Sequence, residues 1–377
     1  MATPVDALTF VYKTVGDIGI HLDLYPPAQL AATGSREVSA VIYFHGGALT
    51  VGNKRSWFPF WLHRRITDAN VAFISVDYRL IPPSTGHEIL DDIQDLFRFL
   101  GNDINRGIQE EWAVKLRPGH SFTINTRALA VSGSSAGGLC AYLAAIHASP
   151  RPKAVLSLYG MGGDMVTPHY LTPKNVPFFR GREILDPKDF AEYLYPASSL
   201  LPVTSDSPLA YHSLTYHTPG YPANPRMLLG RLYLQLGAFL DYYTGCHDPS
   251  LSISLRKLLD ANKLNVDPRS NLLENIPEAH RHMFPQLCVG ADFPPTLLIH
   301  GSADTAVLVG ESQNLHILLL NAGVGSELQI VEGKEHSFDY EPAAEEEFGQ
   351  PEGLFDRAAK FLVQTLDSVY EIGNNRV

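Results

Sequence analysis

The pentapeptide Gly133-Ser134-Ser135-Ala136-Gly137 follows a short apolar run, Ala128 to Val131, and precedes a segment of small residues with helical character. A serine placed this way between a strand and a helix is typical of a nucleophile elbow, a tight turn that presents the serine hydroxyl at the edge of a sheet. The flanking glycines let neighbouring backbone pass where a Cβ would collide. The pattern predicts Ser135 as a nucleophile; the structural alternative is a helix start capped by Ser134 or Ser135.

Chain length indicates the domain organisation, and the net charge excludes some classes of binding partner. With 377 residues and 45% hydrophobic content, the chain can bury a large core, and one catalytic domain with a substantial insertion fits best. The formal charge of -11 argues against a surface for nucleic acid or anionic membrane, since both select patches of Lys and Arg. A small neutral or apolar molecule is the expected partner.

The three cysteines, Cys140, Cys246 and Cys288, lack C-x-x-C spacing, so neither a disulfide framework nor a zinc site is expected. No apolar stretch reaches membrane-spanning length, and the first residues lack a basic patch followed by an apolar core. We expect a cytoplasmic, reducing location. Apolar surface on the insertion would suit a homodimer or membrane contact.

The apolar runs predict an α/β fold with a mostly parallel sheet. The pattern predicts an antiparallel hairpin formed by Leu8 to Val15 and Ile18 to Leu24. Short buried-strand patterns then alternate with helical segments, of which Glu88 to Leu100 is one. These predicted strands are Ala40 to Phe44, Val71 to Val76, Ala128 to Val131, Ala154 to Leu158, Thr296 to Ile299 and Glu327 to Val331.

Between Tyr159 and Phe293 this alternation gives way to a long segment rich in Pro, Tyr and Leu, too long for an ordinary connection. We interpret residues 161–290 as a lid inserted into a core domain of residues 1–160 and 291–377. Within it, Asn224-Pro225 and Gly245 are start and stop signals for one helix with an apolar stripe.

Acyl transfer by a serine needs a base, an acid that orients the base, and donors for the oxyanion. Asp304 follows the predicted strand that ends at Ile299, and His336 follows the strand that ends at Val331. The order Ser135, Asp304, His336 is that of α/β-hydrolase triads. Three rival acids lie close to the histidine in sequence: Glu332, Glu335 and Asp339.

The residues after the strand that ends at Phe44 are His45-Gly46-Gly47-Ala48. The backbone N–H groups of Gly46 and Gly47 can approach a substrate oxygen without obstruction, and the N–H of Ala136 would be a third donor. A tight strand exit is the structural alternative. We expect His45, Ala48 and Ser134 to lie nearest the substrate.

Five motifs in this order resemble the hormone-sensitive-lipase-like esterases of the α/β-hydrolase fold. The resemblance covers most of the chain outside the insertion and implies hydrolysis of carboxylic esters of small to medium apolar substrates through an acyl-enzyme, without a metal or organic cofactor. The motifs are His45-Gly46-Gly47, Asp77 to Leu80, Gly133 to Gly138, Asp304 to Val307 and His336 to Phe338.

The chain departs from the family pattern at several positions. Ala48 occupies the position of the family's third glycine, and Ser134 the position of an acidic residue. Ile81 to Ser84 replaces the Ala-Pro-Glu that usually follows the motif ending at Leu80. The insertion departs most and should determine the substrate.

Three alternatives to an esterase remain open, and two of them keep the same motifs. A kynurenine-formamidase-like amidase would use the same loop and triad, and a specialised-metabolite enzyme would use the elbow as a hydrolase, acyltransferase or cyclase. A ligand-binding receptor on this fold, such as the plant gibberellin receptors, lacks the catalytic histidine, so His336 argues against it.

Overall fold

A twisted sheet of eight strands organises the chain in a computed structural model that describes residues 7–29, 34–115, 120–261 and 268–374. The strand order is β1-β2-β4-β3-β5-β6-β7-β8; β2 pairs antiparallel with both β1 and β4, and all the other pairs are parallel. The predicted α/β fold is thereby confirmed. The strands are β1 Leu8–Val15, β2 Ile18–Tyr25, β3 Gly34–Phe44, β4 Ala72–Val76, β5 His120–Ser134, β6 Val155–Leu158, β7 Thr296–Gly301 and β8 Ser326–Val331.

Helices cover both faces of this sheet, which explains the nearly unbroken apolar runs of the central strands. Successive residues of β3 alternate between two cores, so that Ile42 packs on one face and Tyr43 on the other. One core is covered by α2 Gly86–Asn102, α3 Ile104–Lys115, α4 Ala136–His147 and α11 Gly310–Asn321. The other is covered by α1 Phe60–Asp68, α12 Ala344–Phe348 and α13 Leu354–Asn374.

The described residues between β6 and β7 form short helices and no strand. The α-helices among them are α5 Pro168–Leu171, α6 Arg226–Leu236, α7 Phe239–Thr244, α8 Leu251–Ala261, α9 Pro268–Glu274 and α10 Glu278–Arg281, and the others are short 3-10 helices. Most of the predicted apolar stripe, including Leu229 and Tyr243, is buried in the larger core.

The single helix predicted from Asn224-Pro225 to Gly245 is wrong in one respect: it is two helices, α6 and α7. The break is at Gly237, whose left-handed backbone (φ 60°, ψ 38°) ends α6. Both predicted end signals are present. The Asn224 Oδ1 accepts the Arg226 N–H at 3.0 Å, and Gly245 ends α7 with φ 78°.

Arg226, at the start of α6, joins the inserted segment to the sheet domain. Its buried guanidinium donates hydrogen bonds to the carbonyl oxygens of Thr50, Ile81 and Pro82, at 3.3, 3.3 and 2.6 Å. The Thr50 hydroxyl donates in return to the Arg226 carbonyl at 3.0 Å. The first turn of α6 is therefore held against two loops at the carboxyl edge of the sheet.

Candidate active site

Ser135 lies on a sharp turn between β5 and α4, with φ 55° and ψ -122°. An L-residue rarely adopts this conformation, and it persists here because the surrounding backbone determines it. The Ser135 N–H donates to the Leu158 carbonyl at 2.9 Å, and the Ser135 carbonyl accepts the Met161 N–H at 3.0 Å. A Cβ at Gly133 would fall 2.0 Å from the Gly137 carbonyl oxygen. The turn has the geometry of a nucleophile elbow.

The structure brings Ser135, His336 and Asp304 together. The Ser135 Oγ lies 3.0 Å from His336 Nε2, and His336 Nδ1 lies 2.7 Å from Asp304 Oδ2. An ionised carboxylate can only accept, so the proton of the neutral imidazole is on Nδ1 and Nε2 is free to accept the serine proton. The arrangement is that of a nucleophile, a base and an orienting acid.

The Asp304 carboxylate is buried and fully hydrogen-bonded. Its Oδ1 accepts the N–H groups of Ala306 and Val307 at 2.9 and 3.0 Å, and its Oδ2 also lies 3.2 Å from His300 Nε2. Burial alone would raise the pKa of Asp304, but the nearby His336 and His300 outweigh it and hold that pKa well below its usual range. This carboxyl is therefore charged throughout the neutral range.

Two of the three rival acids, Asp339 and Glu335, have other partners. The Asp339 carboxylate accepts from Trp61 Nε1 at 3.0 Å and from the Tyr159 hydroxyl at 2.5 Å. The Glu335 carboxylate accepts from the backbone N–H and hydroxyl of Thr305, at 2.8 and 2.7 Å. Burial raises the pKa of Asp339. Of the acids considered from sequence, Asp304 is the one within hydrogen-bond distance of His336 Nδ1.

The loop after β3 passes directly beside the elbow. A Cβ at Gly46 would fall 3.3 Å from the Ser135 Cβ, and Gly47 has φ 109° and leaves no room for a side chain beside the Val51 carbonyl. Among the described residues, no hydrogen-bond acceptor is found for the backbone N–H groups of Gly46, Gly47 or Ala136. Three free donors beside a serine hydroxyl match the requirements of an oxyanion site.

His45 does not line the cavity at Ser135. It is wholly buried, its ring is stacked on Tyr78 at 4.4 Å, and its Nδ1 donates to the Gly46 carbonyl at 2.7 Å. Burial lowers the pKa of His45 to about 4, so its ring is neutral. The expectation that His45 lies next to the substrate is therefore corrected: its ring lies behind the loop and holds the Gly46 carbonyl.

Ala48 and Ser134 do line the cavity. Ala48 has φ 53°, and its methyl group faces Gly230 of α6. The Ser134 hydroxyl is bonded to the Tyr43 hydroxyl at 2.7 Å, and Ser134 is 2% exposed. The Ser134 hydroxyl is thus already hydrogen-bonded within the protein.

The cavity that contains Ser135 and His336 has a volume of about 1200 Å³, counting its open mouth. One wall comes from the sheet edge and the opposite wall from the inserted segment, including apolar side chains of α6 and α7 such as Leu228, Leu234 and Phe239. Three arginines also line it: Arg180, Arg182 and Arg231.

Three residues at or near this site are not indicated by any motif in the sequence. Neither His300 nor Arg231 is part of a recognisable sequence motif, although His300 immediately precedes the loop that contains Asp304. The third is Glu311, a fully buried acid on α11 that accepts the Gly162 N–H at 2.5 Å and the Tyr170 hydroxyl. Burial raises the pKa of Glu311 to about 8, against the effect of these donors.

The described residues contain neither a cluster of metal ligands nor a helix fit to span a membrane. In the ranges that the structure covers, no three His, Cys, Asp or Glu side chains are grouped so as to hold a metal ion. None of the described helices combines the length and the hydropathy that crossing a membrane requires.

Residues 41–214 match a family model described as the alpha/beta hydrolase fold. Among solved structures, the chain is similar to an alpha/beta hydrolase superfamily protein from Enterococcus faecalis, with 18% identity, a TM-score of 0.56 and coverage of 95% of this chain and 98% of the other. It is similar also to the esterase LipW from Mycobacterium marinum, with 19% identity, a TM-score of 0.53 and coverage of 96% and 82%. At these identities the likeness concerns the fold.

Two kinds of curated relative match the sequence. A probable carboxylesterase M8 from a Phoma species is 27% identical over 179 residues, which are 47% of this chain and 52% of that protein. The non-reducing polyketide synthase ausA of Aspergillus calidoustus is 25% identical over 347 residues, which are 89% of this chain and 13% of the synthase. The chain thus spans about half of one relative and a small part of the other.

Proposed function

We propose that this chain, an α/β hydrolase of the hormone-sensitive-lipase-like type, is a serine hydrolase that cleaves carboxylic esters (EC 3.1.1). The observation that carries the proposal is the chain of contacts from Ser135 Oγ to His336 Nε2 at 3.0 Å and from His336 Nδ1 to Asp304 Oδ2 at 2.7 Å. The esterase-type relatives support it.

In the first half-reaction, the Ser135 Oγ attacks the ester carbonyl carbon while His336 Nε2 takes the hydroxyl proton. The carbonyl oxygen becomes an oxyanion that accepts hydrogen bonds from the N–H groups of Gly46, Gly47 and Ala136. His336 then gives its proton to the departing alkoxide oxygen, and an acyl-enzyme remains. Asp304 keeps the imidazole in the required tautomer and stabilises its charged form.

The second half-reaction repeats these steps with water as the nucleophile. His336 accepts a proton from water, the hydroxide attacks the acyl carbon, and the proton returns to the Ser135 oxygen as the acid leaves. The segment of residues 161–290 acts as the lid that supplies the acyl and alcohol pockets, since its side chains form the wall opposite the triad.

A second candidate is an acyl-releasing step of specialised metabolism. The specific observation is that synthases match this chain over nearly its whole length, 89% in one and 95% in another, whereas the carboxylesterase matches it over 47%. A thioester carbonyl would be attacked by the same serine, with a thiol as the leaving group and water or an alcohol as the acceptor.

The test is turnover of p-nitrophenyl butyrate together with labelling by a fluorophosphonate probe. We expect Ser135→Ala and His336→Ala to abolish turnover, and the probe to label Ser135. Ser254→Ala, which changes an exposed serine of α8 remote from the cavity, is the control and should keep both properties. Full turnover by folded Ser135→Ala protein would refute the proposal.

The two candidates are separated by a matched pair of substrates. An N-acetylcysteamine thioester and an ethyl ester of the same acid share the acyl part and differ in the leaving atom. A kcat/KM that favours the thioester well beyond its greater intrinsic reactivity would support the second candidate, and comparable values would support the general esterase.

A further inference from the structure

Arg231 is a buried cation whose donors are mostly unused. It lies on α6, is 4% exposed and lines the same cavity as Ser135 and His336. A guanidinium has five N–H donors, of which Nε and Nη1 carry three. Neither Nε nor Nη1 has a hydrogen-bond partner among the described residues.

Arg231 has a single hydrogen-bond partner in the part of the chain that the structure describes, and this bond is weak. Its Nη2 lies 3.3 Å from the Glu183 Oε1, and the Glu183 side chain is 63% exposed. An ion pair with a partner so open to water contributes little. Glu183 therefore does not compensate for the burial of the guanidinium.

The other two arginines that are buried in the described part of the chain have several hydrogen-bond acceptors, which makes Arg231 unusual. Arg226, five residues earlier on the same helix, donates to three carbonyl oxygens. Arg79 holds the buried Asp92 carboxylate with its Nε at 2.9 Å. Because buried polar groups in folded proteins nearly always have partners, the free donors of Arg231 indicate a group that arrives with a ligand.

The charge of the cavity wall points to an anion. Arg180, Arg182 and Arg231 line it, and none of its described lining residues is Asp or Glu. The whole chain has the opposite balance, with 40 acidic and 29 basic residues. Arg180 and Arg182 are exposed at the mouth, where they would attract an anion, whereas Arg231 is buried and would bind it.

We propose that Arg231 is a specificity-determining residue that binds a carboxylate on the substrate, so that the preferred ester carries a free acid group in addition to the bond that Ser135 cleaves. This inference rests on the proposed function and deepens it by naming the substrate class. It replaces the small neutral or apolar molecule expected from the sequence with one that has an apolar body and an anionic end. A guanidinium suits this task because its planar N–H groups match the oxygen pair of a carboxylate.

The experiment compares p-nitrophenyl monoesters of succinic, glutaric, adipic and suberic acid with their methyl-capped counterparts. Within each pair the reacting carbonyl and the chain length are the same, and only the terminal charge differs. The readout is the ratio of kcat/KM for the free acid to kcat/KM for the methyl ester, which cancels a partial loss of folded enzyme.

For the unsubstituted protein we expect a ratio above one for at least one chain length. In Arg231→Gln the ratio should fall about 10- to 100-fold, since a charge-assisted hydrogen bond is lost. Arg231→Lys, which keeps the charge but not the planar donors, should give an intermediate ratio. Arg106→Gln removes an exposed arginine of α3, 69% exposed, and should leave the ratio unchanged.

Binding of the intact methyl esters gives a readout that does not need turnover. In Ser135→Ala protein, monomethyl adipate, which has one free carboxylate, should bind more tightly than dimethyl adipate, which has none, and adding Arg231→Gln should remove the difference. A ratio that changes less than twofold in Arg231→Gln, or equal binding of monomethyl adipate and dimethyl adipate, would overturn the inference.

The outcomes separate this inference from the proposed function. Hydrolysis of the methyl esters without preference for the acids refutes the role of Arg231 and leaves the esterase intact. Absence of turnover and of Ser135 labelling refutes the esterase, while the binding comparison still decides whether Arg231 recognises a carboxylate. If Arg231→Gln does not fold, Arg231→Lys and the comparison of acids in the unsubstituted protein decide the question.

Discussion

Ala48 of the loop after β3 packs directly on Gly230 of α6: a Cβ built on Gly230 would lie 2.2 Å from the Ala48 Cβ. This is closer than two carbon atoms can approach, so even one methyl group requires the loop or the helix to move. Since Gly46 and Gly47 immediately precede Ala48, the contact connects the inserted segment to the proposed oxyanion donors.

We therefore expect Gly230→Ala to lower kcat by about 10- to 1000-fold, as for the displacement of an oxyanion donor. The measurement is kcat for p-nitrophenyl butyrate in folded protein. Gly310→Ala is the matched control, because a Cβ at Gly310 would have no atom within 4 Å. Equal kcat values for the two variants would mean that the loop does not depend on this contact.

Asp304→Asn should keep the fold and lower kcat by about 10³- to 10⁴-fold. An amide can donate to His336 Nδ1, which favours the tautomer with the proton on Nε2, and that tautomer cannot accept the proton of Ser135. Turnover of p-nitrophenyl butyrate measures the loss. Asp339→Asn provides the comparison, since Asp339 is bonded to Trp61 and Tyr159 and not to the imidazole; a larger loss in that variant would exchange the roles of the two acids.

Glu311→Gln should stabilise the protein at alkaline pH. The folded-state pKa of Glu311, raised to about 8, exceeds its unfolded value near 4.5, so folding keeps the group protonated and its cost to stability grows as pH rises between these values. Glutamine can still accept from Gly162 and can donate to Tyr170. The gain in unfolding free energy should be small at about pH 5 and reach a few kcal/mol at about pH 8.

Urea unfolding at both pH values checks this expectation. Glu327→Gln, on an exposed position of β8, serves as the control and should show no such growth with pH. A gain for Glu311→Gln that is the same at both pH values would show that Glu311 is charged in the fold.

Acid should destabilise the fold through His45. Its folded-state pKa, lowered by burial to about 4, lies below the unfolded value of 6.5. The unfolded chain therefore binds a proton first, so the free energy of unfolding falls as pH drops from about 6.5 to about 4, by on the order of 3 kcal/mol from this group.

His45→Phe should reduce this part of the pH dependence, since a phenyl ring can stack on Tyr78 and does not titrate. Urea midpoints at about pH 7.5 and about pH 4.5 give the comparison. The exposed His217→Phe should behave like the unsubstituted protein. An undiminished pH dependence in His45→Phe would locate the acid-sensitive groups elsewhere.

The sequence predicts the sheet well where strands are covered on both faces. Runs such as Ala40 to Phe44 are apolar throughout because helices pack on each side. The apolar pattern does not predict the first parts of β3 Gly34–Phe44 and β5 His120–Ser134. There, residues 34–38 of β3 pair with residues 120–124 of β5. Polar residues such as Arg36, Glu37 and Thr123 interrupt the apolar pattern there, so the pairing depends on the neighbouring strand.

The contacts between the three proposed catalytic side chains could be anticipated because each follows the end of a strand, and the ends of parallel strands meet at one edge. Arg231 and His45 could not be placed in the same way. The position of Arg231 depends on the path of the inserted segment. The position of the His45 ring depends on the direction in which a single side chain points at a turn. The helix break at Gly237 was missed because an isolated glycine within an apolar stripe carries little information.

The three carbonyl oxygens around Arg226 have a consequence for how a substrate reaches Ser135. Swinging the start of α6 outward would strip a buried cation of all its hydrogen bonds at once, which is a costly movement. A path past the exposed Arg180 and Arg182 breaks none of them. We therefore expect the wall of the cavity near Arg226 to stay rigid and the substrate to enter on the opposite side. An anionic substrate entering there would pass the positive charges of Arg180 and Arg182 before it reaches Ser135.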